Sequence, residues 1–123
     1  MSRFTKSEDG KTVTDSVTGL VWSQNTVASD VTFEDAVKAV EALGEGWRLP
    51  TVDELQTIVD RTKYDPAIDA EVFPDTESDC YWTSTPWVRR PESARWVVYF
   101  FNGFVNGYDV GTYACVRAVR GGQ

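Results

Sequence analysis

The 123-residue chain contains no histidine. Imidazole is therefore missing from any mechanism: there is no Ser-His-Asp triad, no Cys-His pair and no ordinary zinc enzyme site. Cysteine is nearly missing too. Cys80 and Cys115 cannot complete a structural zinc site alone, and they leave open one disulfide or two buried thiols, the thiols being favoured in a reducing compartment. Long apolar runs are absent: the longest, Trp96 to Phe101, has six residues against the roughly 20 that span a bilayer. Membrane insertion is not expected. The first residues, Met1-Ser2-Arg3-Phe4-Thr5-Lys6, lead into polar sequence and do not read as a signal peptide. The expected location is the cytoplasm or a virion, or the cell exterior if a leader precedes the sequence given. Positive charge is scarce, with 12 Lys and Arg against 19 Asp and Glu, and the net charge of −7 opposes nucleic-acid binding.

That charge is unevenly spread. Residues 1–79 hold 7 basic and 17 acidic side chains, whereas residues 80–123 hold 5 basic, all arginine, and 2 acidic. The two parts are expected to face different surroundings. Hydrophobic residues at 41% supply an ordinary core, and the length suits one domain over residues 1–123.

Lys11–Asp15 and Leu20–Ser23, joined by a turn at Ser16-Val17-Thr18-Gly19, read as a hairpin. Phe33, Ala36, Val37, Val40 and Leu43 recur at helical spacing, with Thr32 as N-cap and Gly44 suited to the left-handed stop. A second helix starts at Thr51, where Thr51-Val52-Asp53-Glu54 forms a capping box and Val52, Leu55, Ile58 and Val59 make the buried stripe. Residues 62–79 show no periodicity and form a long loop. The last third reads as strands at Cys80–Thr85, Arg95–Phe101 and Tyr113–Arg120. Asn102-Gly103 and Asn106-Gly107 are competing type I′ turn signals. This order predicts an α+β fold with an antiparallel sheet.

Three groups of residues could carry chemistry. Asp60, Asp65, Asp69, Glu71, Asp75, Glu77 and Asp79 crowd the loop. Asp65, Asp69, Glu71 and Asp75 are calcium candidates, beside the plainer reading of a solvated acidic surface. Apart from calcium there, no cofactor is implied. Arg117, alternating with Val119, is expected on the core side with Glu54 or Asp53 as carboxylate partner, while Arg120 is expected exposed. Arg117 also lies two residues from Cys115, where it could lower the thiol's pKa.

Aromatic residues are the most informative group. Alternation puts Trp96, Val98 and Phe100 on one face and Val97, Tyr99 and Phe101 on the other. Either the sheet is covered on both sides or one side offers rings to a partner. Rings beside Asn, Asp and Arg suit sugar recognition and protein interfaces. The ligand-binding candidates are Trp87, Arg89, Arg90, Arg95, Tyr99, Phe101, Phe104, Asn106, Tyr108 and Asp109.

Four segments together resemble a known family. They are Val13-Thr14-Asp15 with Thr18-Gly19-Leu20-Val21-Trp22; Gly46-Trp47-Arg48-Leu49-Pro50-Thr51 with Glu54-Leu55; Tyr81-Trp82-Thr83-Ser84-Thr85; and Val116-Arg117-Ala118-Val119-Arg120-Gly121-Gly122. In this order, over about residues 12–122, they resemble the Lcl C-terminal domain family, a former domain of unknown function named for a collagen-like bacterial adhesin. The resemblance implies a C-type-lectin-like fold, with two helices flanking a twisted antiparallel sheet and long irregular loops. It is related to the formylglycine-generating fold. Trp22, Trp47, Arg48 and Arg117 would be scaffold, and function would sit on the last third. The family's known member binds sulfated polysaccharides through a trimeric tip, and similar folds serve as phage receptor-binding proteins. In this fold family the region of Cys80 and Cys115 is often stapled by a disulfide.

The expectation is a non-enzymatic module that binds a glycan or protein through residues 86–113, in a homo-oligomer or larger assembly, with Trp87 and Arg90 removable at little cost in stability. The alternatives are a phage tail or capsid-decoration protein, and a cysteine- or metal-dependent enzyme.

Overall fold

A computed structural model describes residues 3–121. Met1, Ser2 and Gly122 lie outside the described residues. In chain order the elements are β1 (Phe4–Lys6), β2 (Thr12–Asp15), β3 (Leu20–Ser23), β4 (Ala28–Val31), α1 (Phe33–Glu41), α2 (Val52–Gln56), β5 (Cys80–Pro86), β6 (Ala94–Tyr99), β7 (Phe104–Asp109), β8 (Ala114–Val116) and β9 (Val119–Gly121). The fold is α+β and mostly sheet, but it differs from two helices flanking one antiparallel sheet. There are two sheets, ordered β1-β2-β3-β9 and β4-β8-β5-β6-β7, and β8 runs parallel to β5 with Cys115 opposite Tyr81.

The predicted strand over Tyr113–Arg120 splits because the chain changes sheets. β8 pairs with β4 and β5, then β9 pairs with β3. Arg117 sits at the crossing, fully buried. Its guanidinium donates from Nη1 to the carbonyls of Ser23 at 2.6 Å and Gln24 at 2.8 Å, and from Nη2 to Thr76 Oγ1 at 2.8 Å. Phe73 and Tyr81 offer their ring faces at 4.7 and 5.9 Å. Asp75, at 3.9 Å, is the nearest carboxylate. Glu54 is instead taken by Arg48 through two hydrogen bonds, so the expected Arg117 partner was on the wrong element. Carbonyl dipoles and π faces do the work expected of a carboxylate. Arg120 is not free either: it is partly buried, with its guanidinium 4.6 Å from the Trp47 ring.

The first helix forms as its periodicity requires, with Thr32 Oγ1 accepting from Asp35 N. It stops earlier than the pattern suggests, at Glu41; Leu43 is exposed, and Gly44 takes a positive φ of 67° beyond it. The second keeps its capping box but spans only five residues. The Thr57 hydroxyl donates to Glu54 O at 2.6 Å, and Ile58 and Val59 then make tighter i→i+3 bonds. Val52 and Leu55 of the stripe lie in the helix, and Ile58 and Val59 continue it beyond the helix end.

The large sheet is covered on both sides. Tyr81, Val98, Phe100 and Cys115 pack toward Trp22, Leu55, Ile58 and Phe73 on one side. Cys80, Trp82 and Val97 pack toward Ala36 and Val40 of α1 on the other, with Tyr99 and Tyr108 at the margin. The two cysteines thus belong to different faces and are free thiols, not a disulfide. None of the described helices is long and apolar enough to cross a membrane.

Candidate functional site

The β6–β7 hairpin pairs Arg95 with Tyr108, Val97 with Asn106 and Tyr99 with Phe104, and so brings these six side chains to one face. Its connection is the four residues 100–103 rather than a two-residue type I′ turn. Gly103 closes it at φ 86°, and its N–H donates to Tyr99 O at 2.7 Å. Asn106-Gly107 makes no turn: it lies inside β7.

At the hairpin end the rings form a platform. Tyr99 and Phe101 stack at 5.8 Å with 29° between planes, and Tyr64 meets Phe101 edge-on at 6.1 Å. Tyr64, Phe101 and Phe104 are 74%, 37% and 66% exposed. Tyr64 comes from the long loop and was missed in the sequence. What places it there is backbone bonding: Asp65 N donates to Phe101 O at 2.8 Å and Ala67 N to Phe100 O at 2.6 Å. Such contacts leave no mark in side-chain pattern. Beside Tyr64 lies an open hollow of about 630 Å³, bordered by Lys63, Ile68, Asp69 and Glu71. The platform therefore joins flat apolar rings to charged groups able to donate and accept.

The other predicted residues lie elsewhere. Trp87 is on the opposite face of the hairpin, half-buried against Gly107 and edge-on to Trp96 at 6.4 Å. Arg89 covers Trp87, its guanidinium 5.5 Å from the ring. Arg90 is exposed, and its backbone closes the turn into β6. Arg95 stacks on Phe33 at 4.8 Å and donates to Pro91 O and Ala94 O. Tyr108 packs on Trp82, and the Cys80 thiol donates to its hydroxyl at 3.2 Å. Asp109 accepts from Gly111 N and shapes the following turn. Of the ten candidates, the structure brings Tyr99, Phe101, Phe104 and Asn106 together as a surface. It gives Trp87, Arg95, Tyr108 and Asp109 structural contacts.

The four calcium candidates do not converge among the described residues. Asp65 accepts from Ser78, Asp69 from Glu71 N, and Asp75 from Thr26 N. Glu71 carries its backbone to Lys6 Nζ. Converging instead are Glu77, Asp79 and Cys115. Burial, with Glu77 and Asp79 nearby, pushes the Cys115 thiol up to about 12. Burial also raises Cys80, and its hydrogen bond with Tyr108 helps hold that phenol at about 12. Arg117 does not activate either thiol; both are protonated at neutral pH.

Burial works against the Glu54 carboxylate, but the Arg48 guanidinium and Thr51 amide outweigh it and hold the group below the usual range. Asp15 is lowered in the same way: burial opposes, and Arg3, the Val17 amide and Thr18 prevail. These pairs tie the first sheet and the helical segment together.

The sequence model of the Lcl C-terminal domain matches residues 11–120. No curated protein matches the chain.

Proposed function

The chain belongs to the Lcl C-terminal domain family, and from that premise we propose that it is a non-enzymatic recognition module whose contact surface is the end of the β6–β7 hairpin. The observation that carries this reading is the exposed ring set of Tyr64, Phe101 and Phe104 beside a hollow edged by Lys63, Asp69 and Glu71. A sugar presents flat C–H faces and a rim of hydroxyls. The rings suit the first, and Asn106 with the Asp69 and Glu71 carboxylates suits the second. Those carboxylates favour a neutral glycan over a sulfated one. The body of the domain is read as a divergent C-type-lectin-like scaffold, supported by β1 and β9 lying in the same four-stranded sheet.

The test is a mixed array of neutral glycans and sulfated polysaccharides, run with calcium and with chelator. Wild type is compared with a Phe101→Ala/Phe104→Ala variant and an Arg89→Ala/Arg90→Ala variant. Neutral-glycan binding lost only in the phenylalanine variant supports the platform. Sulfated-polysaccharide binding lost only in the arginine variant moves the site to the other face and sinks this reading.

One observation favours a second reading. β7 is an edge strand of the large sheet, with Phe104 and Asn106 exposed on it, and edge strands take up further strands from partners. A protein ligand, a second copy of the chain or a phage virion neighbour would fit that edge. Light scattering of the full chain, with and without a proline at Asn106, checks it: a wild-type oligomer that the Asn106→Pro variant no longer forms supports it.

A further inference from the structure

Glu77, Asp79 and Cys115 present one donor atom each, all within 4.8 Å of one another. Two carboxylates are exposed, and the thiol lies beneath them at 0% exposure. We propose that this triad is a binding site for a borderline-soft divalent cation of the zinc class, seated between the 62–79 loop and β8.

The donors are held by the fold rather than gathered by chance of side-chain rotation. Glu77 N donates to the Tyr81 hydroxyl at 2.9 Å, and that hydroxyl pairs with Thr26 Oγ1 at 2.7 Å. Asp79 Oδ1 accepts from Cys80 N at 2.7 Å. Cys115 lies on β8, opposite Tyr81 of the central strand β5 in the parallel pair. Ser29 Oγ donates to the Glu77 carboxylate and brings a fourth oxygen to the rim.

Charge and size agree with a cation. Ion pairs among the described residues join Arg3 to Asp15, Lys38 to Glu34, Arg48 to Glu54 and Arg117 to Asp75, so Glu77 and Asp79 have no cationic partner there. Zinc bonds of about 2.0–2.3 Å in a tetrahedron set neighbouring donors roughly 3.3–3.7 Å apart. The carboxylates need to close by only about 1 Å, within reach of a rotamer adjustment on exposed side chains. A sulfur donor selects zinc or cobalt over calcium and magnesium, which prefer oxygen alone. Binding forms a metal–sulfur bond and releases the Cys115 thiol proton to solvent. Ser29 or water completes four-coordination.

Cobalt(II) added to the reduced, metal-free full chain is the probe. The expected result is a near-ultraviolet thiolate-to-cobalt absorption band that saturates at one ion per chain, is displaced by zinc and is not displaced by calcium. Cys115→Ser removes the band and Cys80→Ser keeps it. The surface variant Glu77→Gln/Asp79→Asn, which leaves the core untouched, weakens cobalt binding more than about tenfold, the least that loss of even an outer-shell partner brings. No band at millimolar cobalt overturns the proposal. So does a band that survives Cys115→Ser, or unchanged affinity in the double carboxylate variant, since the ion would then sit elsewhere.

Discussion

Gly107 stands in the middle of β7, where a Cβ would lie 2.1 Å from Trp87 Cδ2, 2.4 Å from Cε2 and 2.5 Å from Cγ. Carbon pairs rest at about 3.5–4.0 Å, so Gly107→Ala must push the indole back by about 1.5 Å or swing it out. Swinging out loses the edge-on contact with Trp96, worth about 0.5–1.5 kcal/mol. It also exposes the covered part of a half-buried indole, on the order of 100 Å², for about 2–3 kcal/mol. A partial retreat costs less, so Gly107→Ala is expected to destabilise by about 1–3 kcal/mol. In a Trp87→Ala background the obstacle is gone. There the same substitution removes a glycine from a strand interior and is expected to stabilise by about 0.5–1 kcal/mol. The sign therefore reverses. Urea unfolding of the four proteins, followed by far-ultraviolet circular dichroism to avoid the changed tryptophan count, measures both. Equal destabilisation in the two backgrounds would refute the packing of Trp87 on Gly107 and return Trp87 to the list of free surface rings. The same set of proteins tests the expectation that Trp87 can be removed at little cost: its contacts predict that Trp87→Ala alone costs about 1–3 kcal/mol.

Four further outcomes are expected. Arg117→Lys loses the fork that reaches two carbonyls and Thr76, and is expected to cost about 3–5 kcal/mol in chemical denaturation, while Arg120→Lys at the rim costs under about 1 kcal/mol. Asp15 and Glu54 have lowered pKa values, so their stabilisation is complete above the ordinary carboxylate range and is lost as pH falls through the depressed values. A Tm series from pH 6 downward is expected to fall below about pH 4, and Asp15→Asn to flatten that fall. The Cys115 thiol is raised from 9.0 to about 12, so its stabilisation holds below pH 9 and is lost between these values; Cys115→Ser is expected to reduce the alkaline drop in Tm. Both thiols are buried on opposite faces, so a thiol-reactive disulfide reagent at pH 8 is expected to label neither in the native state and both in guanidinium, and a mild oxidant to form no intramolecular bond without unfolding.

What was legible in the sequence was what local rules determine. The capping box at Thr51, the Thr32 cap and the Leu20–Ser23 strand each depend on residues within four positions of one another, and each formed. What was hidden depends on partners far along the chain. β1 and β4 are held by pairing with β2 and β8, and unlike Leu20–Ser23 neither is mostly apolar in sequence. The pattern in Tyr113–Arg120 is that of one strand, and nothing local reveals that Ser23 and Gln24 pull Arg117 across to a second sheet. Gly107 follows asparagine, as in a hairpin turn, but it is glycine because an indole lies over it. Five of the ten binding candidates, Arg95, Tyr99, Phe104, Asn106 and Tyr108, share a face because strand alternation carried them there, and Phe101 reaches it from the connection beyond β6 by stacking on Tyr99. Tyr64 joined them through backbone bonds that no side-chain pattern encodes.

The division of labour within the fold follows from where each sheet ends. The first sheet and the helical segment are bound by Arg3–Asp15, Arg48–Glu54 and the buried Arg117, all structural. β5 carries a core on each face over Cys80–Thr83, and only its far end, at Ser84 and Pro86, is exposed. Going outward from β5, β6 still has neighbours on both sides, whereas β7 has one. Side chains of β7 therefore have a neighbouring strand on one side only. That is where Phe104 remains 66% exposed while Val97, one strand in from the edge, is fully buried. A large apolar ring left in water costs free energy that a core position would recover. Three such rings, on Tyr64, Phe101 and Phe104, lie at the end of the β6–β7 hairpin. Under the recognition reading proposed above, a ligand outside the chain covers them, and removing Phe101 and Phe104 together is expected to abolish binding while stability is preserved.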